Sequence, residues 1–403
     1  MVSDYCLNFG TGQTVVLLLL LLQLPAVFLL LSRILRGPFR HAPLQPKLGK
    51  CDRPGSVSVV VPTLNEALRV APCLAGLAAQ DQTVREILVV DSRSTDGTGD
   101  LVVAAGQKDA RFKLMTDDPL PPNWVGRPWA LHSGFLATST ESKWVLGIDA
   151  DTQPQPGLVA SLVQTAESEG YDLISLSPRF ILVHPGEIWL QPALLMTLVY
   201  RFGAAGETGS SADRVMANGQ CFLCKRSLLE SLDGYTTARN SFCDDVTLAR
   251  NAAKMGAKVG FLDGANVIKV RMYDGMQETW DEWGRSLDLK DAAQPGQVWC
   301  DLWFLTMVQG LPIALLPLAL VLWFGLGITT LPVLGLLVTN LMLLVMRLGL
   351  GLAIAPSYDL SGANGKSWFW WSFLADPAAV YRIFLSSTRQ PKSWRGRTYE
   401  GIS

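Results

Sequence analysis

Two pairs of acids stand where chemistry could be done. Asp149 and Asp151 lie one residue apart in WVLGIDADTQPQPG (144–157), after the apolar residues Val145, Leu146 and Ile148 and before Pro154 and Pro156, which stiffen the loop that follows. Carboxylates at a strand end can share a divalent cation, because hard cations take oxygen ligands; they can equally form a solvated turn. The second pair, Asp244 and Asp245 in FCDDVTLAR (242–250), opens an apparent helix. A carboxylate there can take a proton from an attacking hydroxyl, or the pair can simply cap the helix.

The elements that must position these acids read as alternating strands and helices. SVSVVVPTLNEA (56–67), REILVVDSRSTDGT (85–98) and KWVLGIDADT (143–152) are each a β-branched run closing on polar and acidic residues, with room for helices between them. Residues 67–79 suit the first of these helices. Such alternation predicts an α/β fold with a mainly parallel sheet and helices on both faces, and ligands gather at the carboxyl ends of its strands. No GxGxxG or GxxxxGK[ST] follows any of these strands, which argues against a dinucleotide dehydrogenase or a P-loop ATPase.

At 403 residues the chain has room for a catalytic domain and more, and a net charge of −1 gives no reason to expect nucleic acid as a partner. The mean hydropathy of +0.24 is concentrated in a few segments. VVLLLLLLQLPAVFLLL (15–31) carries no charge and is followed by Arg33, Arg36, Arg40, Lys47 and Lys50, so the positive-inside rule predicts an anchor with its N-terminus outside. Leu302–Met346 is a further uncharged stretch and suits a hairpin of two spans turning around GLGITTLP, with Arg347 snorkelling or facing protein. WFWWSFLADPAAVYRIFLSST (368–388) is interrupted by Asp376, Pro377 and Arg382 and reads as an interfacial helix. The expected organisation is an anchor and basic flank over 1–50, a cytosolic catalytic domain over 55–270, an amphipathic interface segment over 271–300, a transmembrane hairpin over 301–355, and an interfacial helix with a basic tail over 356–403. Inside the catalytic domain, 186–206 is a long apolar segment, either core or a wall against the membrane. Cys221 and Cys224 form CFLC without a second pair, so buried thiols are expected there and not a zinc site.

VVVPTLNEA, ILVVDSRSTDGT, GRPWALHSG (126–134), GIDADT, ANGQCFLCKR (217–226) and FCDDVTLAR, in that order, resemble the family-2 glycosyltransferases over about 200 residues. The resemblance implies a GT-A fold, a UDP- or GDP-linked sugar donor, Mg2+ or Mn2+, and inversion at the anomeric carbon. PPNWVGRPWALHSG (121–134) and WRGRTY (394–399) further resemble bacterial membrane enzymes that glycosylate carotenoids, the cyanobacterial myxol-type 2'-O-glycosyltransferases among them.

By position in that family, Asp151 contacts the metal and Asp149 serves the nucleotide ribose or a metal-bound water. Asp91 holds the nucleoside base, and Pro62, Thr63 and Glu66 wrap base and ribose; Glu66 can also be only an acid at a helix start. Asp96 and Gly97 make a turn that starts a helix. Arg127 is a phosphate-facing cation or a surface arginine. Asp245 is the base, with Asp244 orienting the acceptor or the metal. The polymer-forming relatives' Q-[QR]-x-R-W motif is missing: MYDGMQETWDEWGRSLDL (272–289) offers Arg285 for the diphosphate, and Trp280 for the bilayer surface. The expected acceptor is a hydroxyl of a membrane lipid, a carotenoid in the finer reading. The alternatives are a polyprenyl phosphate or other glycolipid acceptor, and a catalytically dead nucleotide-binding scaffold.

Overall fold

The computed structural model describes residues 11–389 apart from 50, 210, 284–286 and 288, together with 393–394 and 397–398. A seven-stranded sheet is its frame. The strands are β1 (Val57–Thr63), β2 (Val84–Asp91), β3 (Phe112–Thr116), β4 (Trp144–Ile148), β5 (Thr152–Pro154), β6 (Leu173–Ser177), β7 (Arg179–Ile181), β8 (Cys221–Lys225), β9 (Val259–Asp263), β10 (Ile268–Val270) and β11 (Tyr358–Asp359). The large sheet runs in the order β3-β2-β1-β4-β8-β6-β9, and a smaller one in the order β11-β7-β10-β5. Every pairing in the large sheet is parallel except the two that β8 makes, with β4 and β6.

Side chains alternate across this sheet with the period of two that a strand imposes. Val57, Val59 and Val61 enter one core with Val89, Leu146 and Ile148, under the helices Val70–Ala78 and Leu158–Glu169. Val60, Val90 and Val145 enter the other, under the helices Gly126–Ala137 and Asp244–Lys254. Each such side chain, fully buried, contributes ~1.5–3 kcal/mol. Cys221 and Cys224 sit three residues apart on β8, one in each core. They face opposite sides of the strand, a placement that suits buried thiols and not a shared metal. The first helix begins at Val70, three residues later than the expected 67.

A separate core joins this domain to the apolar helices. Its spine is the Pro185–Phe202 helix, which buries Ile188, Leu194, Met196 and Tyr200 against Val27 and Leu30 of the Thr11–Ile34 helix, and against Phe304, Leu343 and Ile383. The 186–206 segment is therefore core. Among the described residues two helices, within Gly12–Phe39 and Leu331–Ser357, are long and apolar enough to cross a membrane. Between them Pro295–Gly310 and Pro312–Gly325 form a pair bent by 44°, which makes a third crossing if it acts as one span. The break falls where Gly310 and Pro312 flank Leu311, and proline denies the helix a backbone donor. In the expected interfacial region the regular helix is Asp376–Thr388, 13 residues long. Arg347 turns to protein, donating to both carboxylate oxygens of Asp376 at 2.8 and 3.1 Å.

Candidate active site

A cleft of about 500 Å³ opens at the carboxyl ends of β1, β2 and β4, lined by Pro62, Thr63, Glu66, Arg127, Asp149 and Asp151 among others. These are six of the eight residues expected from the sequence to meet the nucleotide and metal, drawn together from three separate blocks; Asp91 is not in the lining and Arg285 lies outside the described residues. Asp151 is carried on the tight link between β4 in the large sheet and β5 in the small one, so both sheets fix its position. The link is closed by Thr152, whose N–H and Oγ1 donate to the Asp149 carbonyl at 3.2 and 2.7 Å.

Arg127 organises the cleft. It stands in the first turn of the Gly126–Ala137 helix, which can press onto β1 because Gly134 has no side chain: a Cβ there would lie 2.3 Å from Val60 Cγ1. Arg127 Nε and Nη2 donate to Asp149 Oδ1 at 3.0 and 2.8 Å, Nη2 also donates to the Gly219 carbonyl at 2.9 Å, and Nη1 donates to Asp244. One buried guanidinium therefore ties the β4 acid to the pair at the start of the Asp244–Lys254 helix. This is the forked recognition at which arginine excels. Of its two expected roles, a surface arginine is not what the fold builds.

Asp245, beside Asp244, accepts from the Val246 N–H at 2.8 Å and from the Gly219 N–H. With Asp149, these acids set three carboxylates around one guanidinium. Burial raises the pKa of both Asp244 and Asp245, and Arg127 opposes that rise. A carboxylate whose proton affinity is raised is a better base than an ordinary one.

Asp91 closes β2 and accepts from the Ser94 N–H at 2.9 Å, the Ser94 hydroxyl at 2.5 Å and the Thr63 hydroxyl at 3.0 Å, so the loop after β2 is folded around it. Glu66 is buried just ahead of the Val70–Ala78 helix, and its N–H donates to Thr98 Oγ1 at 2.9 Å. Asp96 serves its turn, accepting from the Ala67 and Thr98 N–H groups at 2.9 and 3.1 Å, with Gly97 in the left-handed region at φ 93°. Arg285 lies outside the described residues. Trp280 is half-buried with the Arg382 guanidinium 5.7 Å from its ring centroid and donating to its carbonyl, so it packs against the Asp376–Thr388 helix and not outward. His132 lies among Trp124 and Trp129, and its Nδ1 accepts from the Tyr235 N–H at 3.2 Å. Burial lowers its pKa, which suits a neutral structural ring.

Two contributors escaped the sequence reading. Gly219 supplies Arg127 with a carbonyl and with space, since a Cβ there would lie 2.3 Å from Arg127 Nη2. Ser92 lines the cleft and donates to Asp117 at 2.8 Å. Gly219 was within reach, because ANGQCFLCKR is one of the blocks carrying the resemblance. Its role is steric, however, and shows only when position 127 is brought beside it.

Asp149 and Asp151 are oxygen donors of the kind Mg2+ and Mn2+ accept. Among the described residues no group of three His, Cys, Asp or Glu side chains forms a complete metal cage. Such an ion would draw its remaining ligands from phosphate oxygens and water, as magnesium commonly does. The residues fit an ion that arrives with a diphosphate.

Residues 58–233 match the family described as Glycosyl transferase family 2. The chain is similar to the 4,4'-diaponeurosporenoate glycosyltransferase of Staphylococcus haemolyticus, at 25% identity over 58% of this chain and 61% of that protein. It is also similar to the undecaprenyl-phosphate 4-deoxy-4-formamido-L-arabinose transferase of Serratia proteamaculans, at 29% identity over 29% of this chain and 35% of that protein. The chain thus spans about three-fifths and one-third of these relatives' lengths. Among solved structures, the mannosyltransferase PcManGT from Pyrobaculum calidifontis, determined with GDP-Man and Mn2+, superposes with a TM-score of 0.54 at 19% identity, covering 93% of this chain and 99% of that one. At that identity the likeness is one of fold. By its motif blocks and the match over 58–233, the chain carries a family-2 glycosyltransferase domain.

Proposed function

We propose that the chain is an inverting transferase that moves a sugar from a nucleoside diphosphate donor to a hydroxyl of a membrane lipid, a carotenoid in the finer reading. The observation that carries it is Arg127, which lines the cleft and is bonded at once to Asp149 and to Asp244 of the acidic pair. Pro62, Thr63, Glu66 and Asp91 hold nucleoside base and ribose. Asp151, with Asp149, holds Mg2+ or Mn2+, which when bound offsets the charge gathering on the departing diphosphate. Asp245 accepts the acceptor's proton as its hydroxyl attacks the anomeric carbon from the face opposite the diphosphate. Asp244, fixed by Arg127, orients that base. Arg285 is proposed for the diphosphate.

A lipid acceptor is supported by the apolar helices flanking the domain and by relatives named for diaponeurosporenoate and undecaprenyl phosphate. We place the catalytic domain on the cytoplasmic side of a multi-pass membrane protein, from the arginines and lysines that follow the first apolar helix. The second reading, transfer to a polyprenyl phosphate, rests on the undecaprenyl-phosphate relatives. The dead-scaffold reading is disfavoured by the intact set Asp149, Asp151 and Asp245.

The test is transfer by membranes containing the protein, offered a panel of UDP- and GDP-sugars with extracted carotenoids or polyprenyl phosphate, with and without Mn2+ or Mg2+. Products are read by mass. A glycosylated carotenoid, lost with chelator and in Asp151→Ala and Asp245→Asn, is the expected result. A sugar appearing on polyprenyl phosphate instead replaces the acceptor, and no donor consumption with any acceptor returns the scaffold.

A further inference from the structure

Glu187 is a fully buried acid that the proposed chemistry does not use. It stands in the first turn of the Pro185–Phe202 helix. Its carboxylate accepts from the N–H groups of Val183, of His184 at 3.0 Å and of Gly275 at 2.7 Å, and from the Arg271 guanidinium at 2.5 Å. A carboxylate taken out of water needs a cation and hydrogen bonds of this kind. Arg271 is that cation, and it also donates to the Ile181 carbonyl at 3.1 Å and to Asp274 at 2.7 Å.

The backbone of Arg271 ties this network to the cleft. β10 runs antiparallel to β5, with Ile268 opposite Pro154, Lys269 opposite Gln153 and Val270 opposite Thr152. Arg271 is the next residue on that register, and its N–H donates to the Asp151 carbonyl at 3.4 Å. On the other side of β10 lies β7, whose last residue is the Ile181 that the Arg271 side chain holds. One arginine thus joins β7 and the Pro185–Phe202 helix through its side chain while its main chain faces Asp151. Met272, next along, is held from the opposite lip: Arg69 donates to its carbonyl at 3.3 Å and pairs with Glu278 at 2.8 Å.

We propose that Arg271, anchored by Glu187, is a positioning residue for Asp151: it fixes the strand end that presents the Asp151 carboxylate to a divalent cation. The inference rests on the reading of Asp151 as a metal acid. Groups behind a metal ligand set its orientation, and an ion binds tightly only when its ligands are held in place. Because Glu187 opens the helix that packs on the Thr11–Ile34 helix, the same pair refers the metal acid to the core it shares with the apolar helices.

The experiment titrates Mn2+ into the full chain in detergent, with UDP and separately with GDP, free Mn2+ being read by electron paramagnetic resonance. Thermal unfolding is followed on the same samples. Asp151→Ala is expected to lose the ion. Arg271→Lys keeps the charge but not the fork, and should weaken Mn2+ about tenfold, the lower end of what partners of metal ligands contribute. Arg271→Met strands Glu187 and lowers the midpoint, so Glu187→Gln/Arg271→Met is the sharper variant. With both charges gone the midpoint should largely return, while Mn2+ affinity stays at least about tenfold below wild type. An ion pair serving stability alone restores both together; that result overturns the proposal, as does wild-type Mn2+ affinity in Arg271→Lys. If the wild type takes up no Mn2+, or Asp151→Ala takes it up equally well, the metal reading of Asp151 falls and the inference with it. If Asp151→Ala loses the ion and the Arg271 variants keep it, the inference alone falls.

Discussion

Arg127 in the candidate cleft and Arg347 in the Leu331–Ile354 helix are both buried arginines on acids, and their surroundings differ. Arg347 meets one carboxylate, Asp376, through two hydrogen bonds, and the Gln309 amide and the Ser372 hydroxyl complete the set at 3.1 and 3.4 Å. Its charges are matched one to one, which suits a clamp between the long apolar helix and the Asp376–Thr388 helix. Arg127 meets Asp149 and Asp244 with Asp245 alongside, three carboxylates to one guanidinium. That cluster is under-neutralised and receptive to a cation and a proton. On the proposed function, the excess of negative charge separates a site that reacts from one that holds.

The largest test of this contrast removes the proposed base, Asp245. Asp245→Asn is expected to lower kcat by about 10²–10⁴-fold, the range general bases supply. Nucleotide affinity, measured by equilibrium binding, should stay within a few-fold of wild type. Loss of nucleotide binding along with turnover would make Asp245 a donor ligand and dissolve the division of labour.

The clamp is broken by Arg347→Leu, which strands Asp376 in an apolar setting. One-sided removal of a buried pair costs about 3–5 kcal/mol, while replacing both partners by apolar residues is often neutral. Thermal unfolding in detergent should show a large drop for Arg347→Leu that Arg347→Leu/Asp376→Leu mostly restores. Transfer per folded molecule should change little in either. An equal drop in both variants would show that the pair contributes net stability beyond matching charges.

Arg127→Lys sharpens the cleft's side of the comparison through pH. Lysine keeps the charge but cannot fork to both acids, so a loss of about tenfold in kcat/KM is expected, the size of one charge-assisted hydrogen bond. The proposed base works deprotonated, so activity is expected to fall as pH drops through the Asp245 pKa. Burial already places that pKa above the usual carboxylate range, and Arg127 holds it down. Loosening the guanidinium should therefore move the acid limb of the kcat/KM profile to higher pH. A limb that stays in place would separate Arg127 from the ionisation of Asp245.

Much of this arrangement was legible in the chain, for reasons tied to particular residues. β1, β2 and β4 announce themselves because β-branched runs close on Asn65, Asp91 and Asp149, and a strand buried on both faces needs no more than that. The apolar helices are visible by length alone. The pairings that close the site are not visible, because Arg127 and Asp244 are 117 positions apart and Arg347 and Asp376 are 29 apart. Nothing local at Arg127 distinguishes a phosphate-facing cation from a bridge between acids. The 44° break in the bent pair had a local sign in Gly310 and Pro312, yet an uncharged run of that length reads equally well as a smooth hairpin arm. The antiparallel β8 was hidden for the opposite reason: its buried pattern looks like any central strand, and only its partners reveal its direction.

Gly219 makes the gentlest test, because it touches the cleft through space and not through charge. Its backbone is outside the left-handed region, so alanine costs no φ strain. The added Cβ would lie 2.3 Å from Arg127 Nη2, and the three atoms nearest to it all belong to the guanidinium, which must therefore yield. Shifting Arg127 weakens its bond to the Gly219 carbonyl first and to Asp149 next, a loss of about 1 kcal/mol or roughly fivefold in kcat/KM. Gly219→Ala should thus be a mild copy of Arg127→Lys, with the same direction of pH shift and unchanged thermal unfolding. If the two changes are combined, the losses should not add, since both act on one group. Full additivity would mean that Gly219 serves the cleft by some route other than Arg127.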